Sequence, residues 1–259
     1  ARELGVRTDY AEKDYVNSWV LYGIYSTAFG DGLLFKGGTA LLLLLPNPQR
    51  LSIDIDIILE DHPDTLPKPL DNLIRNSMFH RWEEDVRENT EVPAWHYKFY
   101  YESMIGIGEE DHIILDILEG ANPYKILHKQ DLQSKLIQHS GTPSQVRMPD
   151  IDGILGDKLT AFAPRTTGIQ FGSAKEQEII KQLFDIGVLF DQASDLNSVY
   201  QSFHATAENE IKYRSINITP NEVIEDIFHT ALIMAFRGKI QPEYFNELKM
   251  GVHSVASHL

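Results

Sequence analysis

Cysteine is absent from all 259 residues of the chain. Its absence excludes disulfide bonds, thiolate nucleophiles and metal centres with cysteine ligands, and it is typical of proteins kept in a reducing cytoplasm. Long hydrophobic runs are also missing, because the longest covers only residues 40–45, whereas a membrane span needs about 18 apolar residues. The opening stretch ARELGVRTDY contains no apolar signal-peptide core. We therefore expect a cytoplasmic protein with no membrane partner.

Basic residues are fewer than acidic ones. The chain has 23 Lys and Arg residues and 38 Asp and Glu residues, which gives a net charge of −15. This balance argues against broad, unaided electrostatic binding to nucleic acid, so a local basic groove or a basic partner protein would have to compensate. Walker A, dinucleotide-binding and serine-hydrolase motifs are missing as well. The ten histidines lack the close helical spacing of zinc enzymes, which favours structural or solvent-exposed roles for them.

Hydrophobic periodicity divides the chain into two unlike parts. Helices and strands alternate up to about residue 120, with predicted helices at 9–29, 39–45 and 71–90, a proline-rich loop at 60–70, and predicted strands at 33–35, 51–59, 95–102 and 112–118. Beyond residue 150 the predicted elements are helices at 151–163, 175–191, 195–210, 220–237 and 241–258. The pattern predicts an α+β fold, with a sheet domain and N-terminal helix over residues 1–140 and a helical domain over residues 141–259.

The predicted strand at residues 51–59 carries two carboxylates. Alternate side chains of a strand share a face, so Ser52, Asp54 and Asp56 are expected on one face and the isoleucines between them on the other. Two carboxylates about 7 Å apart repel by about 2 kcal/mol at an effective dielectric constant near 20. A divalent cation between them removes that cost, and Mg²⁺ commonly binds one or two carboxylates together with substrate phosphates. The alternative is an edge strand whose acidic face simply meets water.

Two further features favour the metal interpretation. The sequence Gly37-Gly38-Thr39 lies between a short apolar run and a predicted helix; glycine lets the backbone approach a phosphate, and a helix N-terminus offers free N–H groups. A Gly-Gly pair alone is equally typical of a tight turn. Asp116 is the one acidic residue inside the apolar strand at 112–118. A buried carboxylate needs a cationic partner, so we expect a metal ligand or general base, with an Arg or Lys pair as the alternative.

These motifs resemble a known family. FKGGTAL at residues 35–41 and RLSIDID at residues 50–56 look like the AbiEii-type nucleotidyltransferase toxins of bacterial toxin–antitoxin and phage-defence systems, within the DNA polymerase beta superfamily. The stretch KDYV at 13–16, followed by Trp19, is similar to the family's opening, and the resemblance covers most of residues 9–191. It implies a polymerase-beta-like mixed sheet with flanking helices, followed by a helical domain that closes over the nucleotide.

The resemblance also implies site residues and ligands. The cofactor would be Mg²⁺ or Mn²⁺, the substrate a nucleoside triphosphate, and the metal ligands Asp54, Asp56 and Asp116. The residues expected to bind the nucleotide are Lys36, Gly37, Gly38, Thr39, Ser52, Lys158 and Arg165.

Lys158 and Asp185 are the catalytic residues expected in the helical part. Lys158 shares a helical stripe with Ile151 and Leu155, so its charge needs an anionic partner there; a snorkelling lysine or a structural ion pair is the alternative to contact with the triphosphate. The resemblance implies that Asp185 orients Lys158 or helps to activate the acceptor. A plain surface pair with Lys181, four residues earlier, is the alternative. Arg165 lies in a segment that suits contact with a phosphate or with the acceptor. A plain connecting loop is the alternative.

The implied function is transfer of a nucleoside monophosphate to RNA, with a tRNA 3′ end as the expected acceptor, by a toxin that a separate antitoxin restrains. Two alternatives stay open. One is nucleotidyl transfer to a small molecule or a protein, and the other is a non-catalytic nucleotide-binding or partner-binding module that kept the fold.

Overall fold

The computed structural model describes residues 7–27, 30–46, 50–60, 66–75, 77–86, 92–106, 108–134 and 142–256. The chain divides into two compact units, one formed by Ala1–Asn122 with Leu127–Pro149 and the other by Pro123–Ile126 with Asp150–Leu259. Within the described ranges, none of the helices is both long and apolar enough to cross a membrane.

The first unit is built around a mixed β-sheet. Its elements are α1 (Thr8–Tyr25), β1 (Leu34–Lys36), α2 (Gly37–Leu44), β2 (Ile55–Leu59), α3 (Pro67–Arg75), β3 (Phe79–Glu84), β4 (Ala94–Glu102), β5 (Glu110–Glu119), β6 (Leu127–Asp131) and β7 (Gln145–Pro149). The described part of the sheet has five strands in the order β1-β2-β5-β4-β3. Strand β2 runs parallel to β5, and the other neighbours are antiparallel. The hairpin β6–β7, which the periodicity did not predict, forms a separate two-stranded sheet.

The two faces of the sheet differ in character, because side chains alternate along each strand. One face is apolar and carries the buried side chains Phe35, Ile55, Ile57, Tyr97, Phe99, Tyr101, Ile113, Leu115 and Ile117. Helix α1 packs against β5 and against α3, and burial raises the pKa of Tyr97 to about 12. The intervening residues of β4 and β5 are mostly half-buried and polar. The charged residues predicted on β2 and β5 therefore belong to the polar face.

The helix predicted at residues 71–90 is correct as far as residue 75 and wrong over residues 79–84, which form β3. Helix α3 ends at Arg75, and the strand β3 pairs with β4. Helix α3 also starts at Pro67, inside the predicted loop, because proline is tolerated in a first helical turn, where the N–H has no intrahelical partner. The charges that indicated an amphipathic helix lie on an edge strand, where the Arg81 guanidinium pairs with Glu83 and with Glu110 of β5.

The strand predicted at residues 51–59 is shorter than expected. It begins at Ile55, and the side chain of Ile53 is 37% exposed rather than buried on the core face. Strand β1 is only three residues long and its pairing with β2 ends at Asp56. The carbonyls before Ile55 are held by side chains instead. Asn17 Nδ2 donates to the Ile53 carbonyl at 3.1 Å, and the Thr39 hydroxyl donates to the Asp54 carbonyl.

The second unit is helical. Its helices are α4 (Ile151–Ala161), α5 (Glu176–Phe190), α6 (Leu196–Tyr213), α7 (Pro220–Ala235) and α8 (Pro242–Ala256). These match the helices predicted after residue 150, so the α+β prediction is confirmed. Helix α4 packs on α6 and α5, and α5 packs on α8. The contact between α4 and α6 is close at Gly156, where a Cβ atom would lie 2.6 Å from the backbone of Val199 and Phe203.

Candidate functional site

Four charged or titratable side chains form a row across the polar face of the sheet. The strand register places Lys36 opposite Asp56, Asp56 opposite Asp116, and Asp116 opposite His96. Residues directly opposite one another on neighbouring strands share a face, and neighbouring strands lie about 4.8 Å apart. The structure thus brings together three of the predicted site residues, with the two carboxylates at the centre. His96 is a member of this row that the sequence did not indicate.

The carboxylate of Asp56 lies against the backbone of Gly37. A Cβ atom on Gly37 would lie 1.9 Å from Asp56 Oδ2, and Gly37 has a φ of +77°. Glycine is therefore needed here for two separate reasons, the left-handed backbone and the space that Asp56 occupies. The predicted Gly-Gly segment and the predicted carboxylate strand consequently form one site.

Gly38 also lies close to the segment before β2. A Cβ atom on Gly38 would lie 2.6 Å from Ser52 Oγ and 3.2 Å from Arg50 Nη2. Lys36, the N-cap residue of α2, makes no side-chain cap hydrogen bond. The Ser52 hydroxyl, the Arg50 guanidinium and the N-terminus of α2 lie together beside Gly38. This combination of donors suits a phosphate group. Arg50, two residues before Ser52, was not predicted as a site residue.

Thr39 and Asn17 hold the Asp54 segment in place. Thr39 is 4% exposed and Asn17 is 1% exposed, and their side chains donate to the carbonyls of Asp54 and Ile53. The Thr39 hydroxyl, predicted to contact the nucleotide, is thus engaged with the backbone of a predicted metal ligand. Asn17 was not predicted. A signal was present in the sequence, since a polar residue stands on the helix face that also carries apolar Val20 and Leu21.

The donor atoms of the candidate site fit Mg²⁺ or Mn²⁺ only as an open site, which the protein does not fully enclose. Within the part of the chain that the structure describes, no group of three or more His, Asp and Glu side chains is placed to hold a metal ion. Asp54, Asp56 and Asp116 are all half-buried rather than enclosed. Mg²⁺ is commonly held by one or two carboxylates, with water and substrate phosphates supplying the other oxygens. The residues fit such an open site and not an all-protein cage.

Asp116 has a close partner in His96. The distance from His96 Nδ1 to Asp116 Oδ1 is 2.6 Å, and the side chains are 10% and 28% exposed respectively. The sequence could not indicate this contact, because it depends on the register between β4 and β5.

We expect Gly37→Ala to abolish most activity while the protein stays folded. The new methyl group would displace Asp56, and a misplacement of about 1 Å costs about a hundredfold in rate. The positive φ adds strain of about 1–2 kcal/mol. Gly108→Ala is the matched control, because Gly108 has a φ of +79° with nothing within 4 Å of its Cβ position. Thermal unfolding should show a stability loss in Gly37→Ala at least as large as in Gly108→Ala, and rate assays should show lost activity only in Gly37→Ala. Full activity in Gly37→Ala would contradict the role of the Gly37–Asp56 contact.

Lys158 and Asp185 form a buried ion pair in the helical unit. Lys158 Nζ on α4 lies 3.0 Å from Asp185 Oδ2 on α5, with the side chains 9% and 2% exposed. Lys158 Nζ also donates to Gln182 Oε1 at 3.0 Å. Lys181, the alternative partner considered for Asp185, bonds to Glu178 at 2.8 Å. The structure therefore brings together the two catalytic residues predicted in this unit.

Arg165 lies in a loop that a buried carboxylate holds. Asp226 Oδ2 accepts hydrogen bonds from the Arg165 backbone N–H at 2.8 Å and from the Thr166 hydroxyl at 2.9 Å. The Arg165 guanidinium lies 5.0 Å from the centre of the Tyr244 ring and also donates to Gln241. The arginine is exposed, and its contact with a phosphate stays a prediction.

Comparison with known proteins identifies a family. The family described as "Nucleotidyl transferase AbiEii toxin, Type IV TA system" matches residues 19–254. No curated protein sequence is significantly similar to the chain. The solved structure of MenT4, a nucleotidyltransferase toxin from Mycobacterium tuberculosis H37Rv, aligns at 15% identity with a TM-score of 0.57, over 95% of this chain and 84% of MenT4. JHP933 from Helicobacter pylori aligns at 15% identity with a TM-score of 0.50, over 97% of this chain and 98% of JHP933. At this identity the structural likeness shows a shared fold.

Proposed function

The chain belongs to the AbiEii family of nucleotidyltransferase toxins, and on that basis we propose that it transfers a nucleoside monophosphate from a nucleoside triphosphate to the 3′ end of an RNA, with tRNA as the acceptor. The contact between Gly37 and Asp56, beside Asp116 on the next strand, is the observation that supports this proposal most. It joins a backbone suited to binding a phosphate to a pair of carboxylates, Asp56 and Asp116, suited to a metal ion. A phosphate held at the glycines would lie beside the cation that those carboxylates bind.

Each residue of the sheet site has a proposed role. Asp56 would hold Mg²⁺ or Mn²⁺ together with Asp54 or Asp116. Where Asp54 is the second ligand, Asp116 serves as the general base. The triphosphate is bound by the residues around Gly38, namely Lys36, Gly37, Gly38, Ser52 and Arg50. Thr39 contributes through its backbone, since its hydroxyl is bonded to the Asp54 carbonyl.

The reaction forms a bond between the acceptor hydroxyl oxygen and the α-phosphorus, and it breaks the bond from that phosphorus to the bridging oxygen of the β-phosphate, so that pyrophosphate leaves. The bound cation would neutralise the charge that develops on the phosphates. The glycines and Ser52 orient the triphosphate for in-line attack. Asp116, in its base role, accepts the proton of the acceptor hydroxyl.

The helical unit supplies the remaining proposed contacts. Lys158 interacts with the triphosphate and stabilises its developing charge, and Asp185 orients the Lys158 ammonium through the 3.0 Å ion pair. Arg165 is proposed to contact a phosphate or the acceptor. The family's type IV toxin–antitoxin description supports a cognate antitoxin as a further partner.

The acidity of the chain favours one alternative acceptor. A net charge of −15 opposes binding of a long polyanion, because neutralised phosphates supply much of the affinity for nucleic acid. A small molecule or a protein hydroxyl would not carry that cost. The same sheet site would then catalyse the same transfer.

Label transfer distinguishes these acceptors. We expect label from one α-labelled nucleoside triphosphate to enter total tRNA in the presence of Mg²⁺, and not with Asp54→Asn/Asp56→Asn protein. Nucleotide binding without label in RNA would contradict an RNA acceptor and favour a small-molecule or protein acceptor. A protein that binds no nucleotide would contradict nucleotidyl transfer altogether.

A further inference from the structure

His96 lies at the end of the row that contains the two central carboxylates. It occupies the polar face of β4, directly opposite Asp116 on β5. It is 8% exposed, so most of its ring is shielded from solvent. Most buried polar side chains are hydrogen-bonded, and the 2.6 Å contact with Asp116 supplies that bond for His96.

The direction of this hydrogen bond follows from its partner. An ionised carboxylate only accepts hydrogen bonds, so His96 Nδ1 must carry the proton and donate it to Asp116 Oδ1. A carboxylate can accept about four hydrogen bonds, so this bond orients Asp116 without saturating it. Strand pairing fixes the backbones of both residues, so the hydrogen bond from His96 acts on the rotation of the Asp116 carboxylate.

We propose that His96 is a positioning residue for nucleotidyl transfer, which holds the Asp116 carboxylate in the orientation needed beside Asp56. The inference rests on the proposed function, because it assigns Asp116 to the metal or to the acceptor proton. Side chains that hydrogen-bond to metal-binding carboxylates fix the geometry of those ligands, and losing them costs about 10–100-fold in metal affinity or activity.

Two substitutions separate the hydrogen bond from the packing. His96→Phe keeps a ring of similar size without a donor, whereas His96→Asn places an amide N–H near the position of Nδ1. We expect His96→Phe to weaken Mn²⁺ binding and to lower kcat, each about 10–100-fold, with little change in the KM for the acceptor. His96→Asn should recover both quantities to within a few fold of the wild type. His112→Phe is the control, since its ring lies on the same face, 5.5 Å from that of Tyr100, outside the row.

The decisive measurement is Mn²⁺ binding by electron paramagnetic resonance in the presence of a non-hydrolysable triphosphate, which does not depend on the identity of the acceptor. Wild-type Mn²⁺ affinity together with a wild-type kcat in His96→Phe, or equal losses in His96→Asn and His96→Phe, would overturn the role of His96. Absence of Mn²⁺ binding by the wild-type protein would instead overturn the proposed function. If His96→Phe does not fold, the imidazole ¹⁵N spectrum of the wild type decides, because a proton on Nε2 alone excludes donation to Asp116.

Discussion

Asp56→Asn is expected to lower nucleotidyl transfer by about three orders of magnitude, since a bound metal ion contributes several kcal/mol to the transition state and each 1.4 kcal/mol is about tenfold in rate. Asparagine keeps the shape of the side chain, so the contact with the Gly37 backbone remains. It removes the negative charge that the cation needs. The melting temperature should change little, because the substitution removes both the repulsion between Asp56 and Asp116 and the attraction between Asp56 and Lys36, its two strand neighbours.

The control for this charge change is Asp31→Asn. The Asp31 side chain is fully exposed and lies 3.9 Å from Lys129, away from the row of charged side chains. Transfer rate, Mn²⁺ affinity and thermal unfolding would be measured for both variants. In cells, growth arrest on expression should disappear with Asp56→Asn and persist with Asp31→Asn. Retention of metal-dependent transfer by Asp56→Asn would refute the assignment of Asp56 as a metal ligand.

Asp185→Leu is expected to cost about 3–5 kcal/mol of unfolding free energy, because it leaves the Lys158 ammonium buried without its counter-charge. Gln182 would still accept a hydrogen bond from Lys158, but it carries no charge. For a chain of this size the loss corresponds to a fall in melting temperature on the order of 10 °C. Activity should also fall, since Asp185 is proposed to orient Lys158.

The double variant Lys158→Met/Asp185→Leu separates the two contributions. Replacing both members of a buried ion pair by apolar residues of similar volume is often neutral or stabilising by about 1–4 kcal/mol, so the double variant should regain the melting temperature of the wild type. Its transfer rate should stay low, because no ammonium group remains at position 158 to interact with the triphosphate. A stable double variant with wild-type activity would show that the pair is only structural.

The elements of the second unit could be predicted because each depends on local periodicity. Helices α4 to α8 carry apolar stripes at helical spacing, and caps such as Asp150, which accepts from the Gly153 N–H at 2.8 Å, mark their starts. The strand β3 could not be predicted in the same way. Its charged residues are spaced as in an amphipathic helix, and only the pairing with β4 makes the segment a strand. Tertiary pairing overrode the local pattern there.

By itself, the sequence determined the residue types of the candidate site and their order, because Gly-Gly, the Asp-x-Asp strand and the lone strand aspartate are local features of the chain. Only the tertiary structure decided which of them meet. The contact of Asp56 with Gly37, the row from Lys36 to His96 and the ion pair between Lys158 and Asp185 each join separate elements. Strand register and helix packing set such contacts, and both depend on burial of the whole core rather than on neighbouring residues.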